Sequence, residues 1–341
     1  LGRAYLHGGD LRRSADFYRE ALKDNPQDVG SLRMLANVSM AAEDYAEAER
    51  LLDEAVAAGL PPETIGFERA ALAYLRGQTE AAFAQLNELV KRDKENVQAW
   101  AMLAMLTSDG RDPELYEKAL KALKNLQGSS PDIRLMLAEL NLKRQQWAEA
   151  RAEIDQVTRM NPRQIRAWEL LVTVDFRERK RELAEDHVRI LLTLDPENFT
   201  GNLMLGSFQY ARGQFSLAES SYRAALQTRR DPTALNDLAY LLMINKSGAQ
   251  AEARRLIEEA LALQPDNPVF LSTRGELNLR EGRYDEAERD LQQVLTAIPD
   301  NAQVLLLSAQ LYAARGQNAA AMELAETLVG RQSELPKEQQ L

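Results

Sequence analysis

The chain has 341 residues, 45% hydrophobic and 28% charged, with a formal net charge of −10, no cysteine and two histidines. The acidic balance excludes the phosphate-neutralising surface of a nucleic-acid binder, and the lack of cysteine excludes disulfides, thiolate nucleophiles and Cys-based zinc sites. No apolar run approaches the roughly 18 residues of a spanning helix, so direct membrane insertion by this segment is not expected.

Aromatics are sparse while Ala, Leu, Glu, Arg and Gln abound, the vocabulary of helix formers. Proline sets a period: Pro26, Pro162, Pro196, Pro265 and Pro299 are separated by 136, 34, 69 and 34 residues, and Trp100 and Trp168 lie two periods of 34 apart. In that register the chain reads as a partial unit, 1–28, then 29–62, 63–96, 97–130, 131–164, 165–198, 199–231, 232–267, 268–301 and 302–332, with 333–341 as a tail or the start of a further unit. Small residues share one column (Gly2, Ala36, Ala70, Ala104, Ala138, Gly206, Ala239, Gly275, Ala309), with Val172 larger. Ser14, Ala48, Ala82, Ala150, Ala184, Ala218, Ala253, Ala287 and Ala321 form a second, interrupted by Tyr116. Large apolar residues follow four positions on, among them Leu52, Leu86, Leu120, Ile154, Val188, Tyr222, Ile257 and Leu291.

Within 165–198, Trp168, Leu171, Val172 and Asp175 follow helical spacing, and Ala184, Val188 and Leu191 repeat it. Each unit is therefore expected to be a helical hairpin. Helices of about 13 residues are marginal alone, so each hairpin must share its burial with its neighbours. The pattern resembles the tetratricopeptide repeat along essentially the whole chain. That resemblance implies an all-α fold, an α-solenoid winding as a right-handed superhelix of about ten hairpins. The run 235–242 is similar to one found in bacterial exopolysaccharide-export and secretion-associated members. The family likeness places the segment in periplasm or cytoplasm, with periplasm favoured.

Three units depart from the pattern. The third has Arg69 and Ala73 at large apolar sites, the fourth has the turn 109–113 and Tyr116 at a small site, and the eighth has a long turn at 245–250. The third and fourth are expected to pack less regularly. Leu1 stands inside a first helix and Pro336 falls where an eleventh unit would begin, so the chain reads as an excised fragment with Leu324 and Leu328 partly exposed or covered by the tail or another molecule. Leu171 and Leu191 should be buried between units six and seven, and Glu185 should be dispensable.

No nucleotide-loop, nucleophile-elbow or metalloprotease motif appears, so no catalysis, cofactor or metal is expected. His7 and His187 read as surface or partly packed imidazoles, and the pairs Glu258/Glu259 and Glu286/Glu288 as solvated helix faces. First-helix positions two, five, nine and twelve share one face, which the resemblance makes the concave ligand surface. The candidate partner-binding residues there are Asn37, Met40, Tyr74, Met105, Glu139, Glu169, Thr173, Phe176, Ser207, Tyr210, Tyr240, Met243 and Glu276. Phe176, Tyr210 and Met243 form the expected central anchor, and Glu139, Glu169 and Glu276 an acidic rim suited to a basic or amphipathic protein or peptide. Family members that bind chaperone C-termini use a clamp of cations and amides. Arg33 and Asn37 match its first element, but Glu68, Gln98 and Met102 break the rest. Two function classes follow: an interaction scaffold within a larger bacterial assembly or export protein, and a regulatory or substrate-recruiting segment of a larger enzyme.

Overall fold

The computed structural model describes residue 2, residues 10–126, 128, 130–245 and 248–329. His7, Pro336 and the middle of the long turn at 245–250 lie outside them. Among the described residues there are nineteen α-helices and no strand, an all-α solenoid. In chain order they are α1 (Leu11–Asp24), α2 (Val29–Ala41), α3 (Tyr45–Ala57), α4 (Gly66–Leu75), α5 (Thr79–Arg92), α6 (Val97–Thr107), α7 (Pro113–Leu126), α8 (Pro131–Lys143), α9 (Trp147–Met160) and α10 (Ile165–Arg177). There follow α11 (Arg181–Leu194), α12 (Phe199–Ala211), α13 (Phe215–Thr228), α14 (Pro232–Asn245), α15 (Gln250–Leu263), α16 (Pro268–Arg280), α17 (Tyr284–Ala297), α18 (Ala302–Ala314) and α19 (Asn318–Val329). The chain divides into two compact units, Leu1–Leu170 and Leu171–Leu341.

Local chemistry sets the helix ends. Residues with short polar side chains precede many first helices: Asp28, Asn96, Asn198 and Asn301 each accept a hydrogen bond from the backbone N–H three residues on. The turn inside the hairpins places one residue in the left-handed region at a period of 34. That residue is Gly77, Gly213, Gly282 or Gly316, and elsewhere Glu43 (φ 62°), Gln145 (60°) or Arg179 (59°).

In the first unit, α2 touches both α3 and α4, and α6 touches both α7 and α8. In the second, α12 packs on α13, α14 on α15 and on α16, and α16 on α18. The small column permits this approach. A Cβ on Gly206 would stand 2.7 Å from the Tyr222 ring, and one on Gly275 3.0 Å from Leu291, so the small residue of a first helix receives the large residue of its own second helix. Leu171 and Leu191 are buried, and Leu191 lies under Gly201 of the next hairpin.

Two expectations are corrected. Glu185 is buried at 8% exposure because it accepts from Arg212 of the following hairpin at 2.6 Å. Leu328 is buried against Ala302 and Leu305 of its own hairpin, with Leu324 half-buried beside them. At the apolar site of the third unit, Arg69 instead reaches out to Asp53 at 2.9 Å, a largely exposed pair.

Candidate functional site

A cleft of about 730 Å³ lies in the second unit, walled by α12, α14 and α16 and bounded by Ile298 at the end of α17 and by Asn301 and Gln303 at the start of α18. Helical spacing places its residues. Asn236, Asp237, Tyr240 and Ile244 share one face of α14, and Val269, Ser272, Thr273, Glu276 and Arg280 share one face of α16.

One wall is aromatic. Tyr210 and Tyr240 meet edge to face at 6.3 Å between ring centroids, and Phe215 supports Tyr210 at 5.8 Å. Tyr222 donates to Ser207 Oγ at 3.4 Å, and Ser207 donates in turn to the Leu203 carbonyl at 3.2 Å. Burial raises the Tyr222 and Tyr240 phenols above their ordinary value, with the Glu276 carboxylate adding to the effect on Tyr240, so both stay neutral.

The rest of the lining is largely polar. Arg280 donates to Glu276 Oε1 from Nε at 3.1 Å and from Nη2 at 2.7 Å, while Glu276 Oε2, also buried, has no hydrogen-bond partner. Asn236 donates from Nδ2 to Asp237 Oδ1 at 3.2 Å, and its Oδ1 is buried without a partner. Desolvation pushes the Asp237 carboxyl up to about 6, against the opposing Asn236 amide.

The sequence-derived candidates separate into groups. Ser207, Tyr210, Tyr240 and Glu276 are brought together in the cleft. Tyr74, Thr173 and Phe176 are exposed, Phe176 at 53%, but none lines it, while Asn37 and Met105 are half-buried in the first unit. Met40 as a binding candidate and Met243 as an anchor are corrected: both are buried, at 9% and 5% exposure, because position twelve of α2 and α14 turns into the core. The acidic rim is corrected as well. Arg166 binds Glu139 at 2.7 Å and Glu169 at 3.1 Å, and Glu276 is buried at 4% exposure. Arg33 is held by Glu68 at 2.5 Å, which takes the clamp-like cation out of play. Asn236 and Asp237 were missed by the sequence reading; Asn236 is one helical turn before Tyr240, a spacing that could have found it.

His187 is partly buried with Nδ1 2.5 Å from Asp175, a packed imidazole. Among the described residues there is no group of three or more His, Asp or Glu side chains that could hold a metal, and no helix is long and apolar enough to cross a membrane.

Two family profiles described as Tetratricopeptide repeat match the chain, one over residues 5–62 and 278–334 and the other over 170–234 and 203–268, together more than half of it. A profile described as a domain of unknown function matches 65–173. A TPR repeat-containing protein of Pseudomonas aeruginosa is 35% identical over 103 residues, covering 29% of this chain and 17% of that protein. Cellulose synthase operon protein C of Pseudomonas fluorescens is 27% identical over 260 residues, covering 66% of this chain and 20% of that protein. The chain thus spans a fifth or less of the length of these two relatives. The solved structure of Pseudomonas aeruginosa pilF is similar with a TM-score of 0.49 and 21% identity, over 59% of this chain and 91% of that one.

Proposed function

The chain belongs to the tetratricopeptide repeat family, and from that premise we propose that it is a protein–protein interaction scaffold whose partner docks in the cleft of α12, α14 and α16. The observation that carries the reading is the convergence of Ser207, Tyr240 and Glu276, the same position of three consecutive repeats, on one cleft of about 730 Å³ beside Tyr210. Aromatic side chains that are half-buried but reachable suit the anchoring of another protein, because they bring large contact area at little entropic cost. Membership of a larger bacterial export assembly, with the segment in the periplasm, is part of the same proposal. The similarity to a cellulose synthase operon protein supports the export link, while the compartment rests on the family likeness alone.

The test is a titration of the captured partner against Tyr210→Ala, Tyr240→Ala and the surface control Arg189→Ala. Each tyrosine truncation is expected to weaken binding by about 1–3 kcal/mol and Arg189→Ala by much less. Binding that survives both tyrosine changes contradicts the docking site. Fractionation of the host cell checks the compartment, and recovery from the cytoplasm contradicts that part.

A further inference from the structure

We propose that the cleft takes a cationic side chain of its partner, an arginine or a lysine, which donates to Glu276 Oε2 and Asn236 Oδ1 and lies against the rings of Tyr210 and Tyr240. This deepens the docking reading and rests on it.

The polar groups of the cleft are counted by what they can still give or accept. Four of its donors are engaged: Arg280 on Glu276 Oε1, Tyr222 on Ser207, Ser207 on the Leu203 carbonyl, and Thr273 on the Val269 carbonyl. Two of its acceptors are not. Glu276 and Asn236 are each 4% exposed, and each keeps one oxygen with no partner. Asp237 takes the Asn236 amide nitrogen, which fixes the amide so that its oxygen is the free end. Leaving buried acceptors unpaired costs stability, and a ligand that supplies donors recovers it.

Charge then selects among donors. The ionisable groups lining the cleft are Asp237 on α14, Glu276 and Arg280 on α16, and the phenols of Tyr210, Tyr222 and Tyr240. With the phenols neutral, one guanidinium faces two carboxylates, so the cleft favours a positive charge and repels an anion. Asp237, raised by burial, is a carboxylate short of stabilising charge, and an arriving cation supplies it. The tyrosine faces add cation–π attraction. A neutral donor would meet the free oxygens but not the charge.

The probes are three blocked tripeptides, acetyl-Ala-Arg-Ala-amide, its lysine analogue and its citrulline analogue, titrated against the full chain by ligand-observed NMR. Citrulline keeps the shape and most donors of arginine without the charge. The arginine and lysine peptides are expected to saturate, with the citrulline peptide weaker by about tenfold. Glu276→Gln and Asp237→Asn should each weaken the arginine peptide by about fivefold or more, and Glu258→Gln, outside the cleft, should leave it unchanged. Asp237→Asn removes a charge that burial disfavours, so this variant is expected to fold even if Glu276→Gln does not. Equal binding of citrulline and arginine, full affinity in both acid-to-amide variants, or no saturation by either cationic peptide overturns the proposal. Partner binding lost in Tyr210→Ala but unchanged in Glu276→Gln and Asp237→Asn overturns the cation and keeps the docking site. Partner binding unchanged in all of these variants overturns both.

Discussion

Repeats three and four, 63–130, and repeats seven to nine, 199–301, are built on one period but solve it differently. In the former the backbone is irregular. A 3-10 turn, Pro62–Ile65, precedes a first helix of 10 residues with no side-chain cap, the next first helix has 11 residues, and Tyr116 occupies a small-residue site. The irregularity is absorbed inside: Tyr116 is fully buried in a cluster with Leu103, Ala119, Leu120 and Leu123. In repeats seven to nine the helices run 13 or 14 residues, Asn198 caps α12 and Asn267 caps α16. There the residues that carry unsatisfied buried oxygens, Asn236 and Glu276, line a cleft. An irregular backbone thus does not accompany the candidate site, which lies among the regular helices of repeats seven to nine.

The largest expected effect tests whether the irregular region is as well packed as the regular one. Leu123→Ala in repeat four and Leu235→Ala in repeat eight replace side chains with no exposed surface, and each should cost about 2–5 kcal/mol in denaturant unfolding. A loss well below that range for Leu123 alone would break the comparison by showing loose packing in 63–130.

The second effect has the opposite sign and sharpens the contrast. The folded-state pKa of Asp237 lies at about 6, above its ordinary 3.8, so the fold favours the protonated carboxyl. Its penalty is absent below the ordinary value and grows as pH rises toward 6. Asp237→Asn should therefore stabilise the chain by about 1–3 kcal/mol above pH 6 and leave stability unchanged near pH 3, as read from unfolding at several pH values. A group that costs stability while facing a cleft is retained at some expense to the fold. A loss of stability at neutral pH would contradict the assignment.

The smallest effect concerns one of the two unpaired buried polar atoms among the described residues of the irregular region, the other being Glu68 Oε2. The Tyr116 hydroxyl is buried without a hydrogen-bond partner, with Arg144 4.5 Å above the ring. Tyr116→Phe should be neutral or stabilising by up to about 1 kcal/mol and should not alter partner binding. A clear loss of stability or of binding would give that hydroxyl a role and blur the distinction between the two regions.

The hairpins were legible in the sequence because close helix packing demands small residues at fixed spacing, and Gly206 beneath Tyr222 shows why. Position nine was legible for the same geometric reason, so Ser207, Tyr240 and Glu276 fall in the cleft. Position twelve was not. It lies near the helix end, where Met243 turns inward and Tyr210 stays half-buried against its neighbours, and periodicity cannot tell the two apart. Glu185 was misjudged because its partner Arg212 belongs to the next hairpin, 27 residues away. The left-handed turn residue escaped notice because Glu43, Gln145 and Arg179 stand where other repeats carry glycine.

The central claim is that the partner docks on the cleft of repeats seven to nine and not on the exposed aromatic surface of repeat three. Site-directed photocrosslinking compares them directly, with a benzoylphenylalanine placed at Tyr240 in one variant and at Tyr74, 37% exposed, in another, each irradiated in the host cell. The account predicts a discrete crosslinked partner from position 240 that is lost when Tyr210→Ala is added, and none from position 74. A partner captured from position 74 but not from position 240 would contradict it.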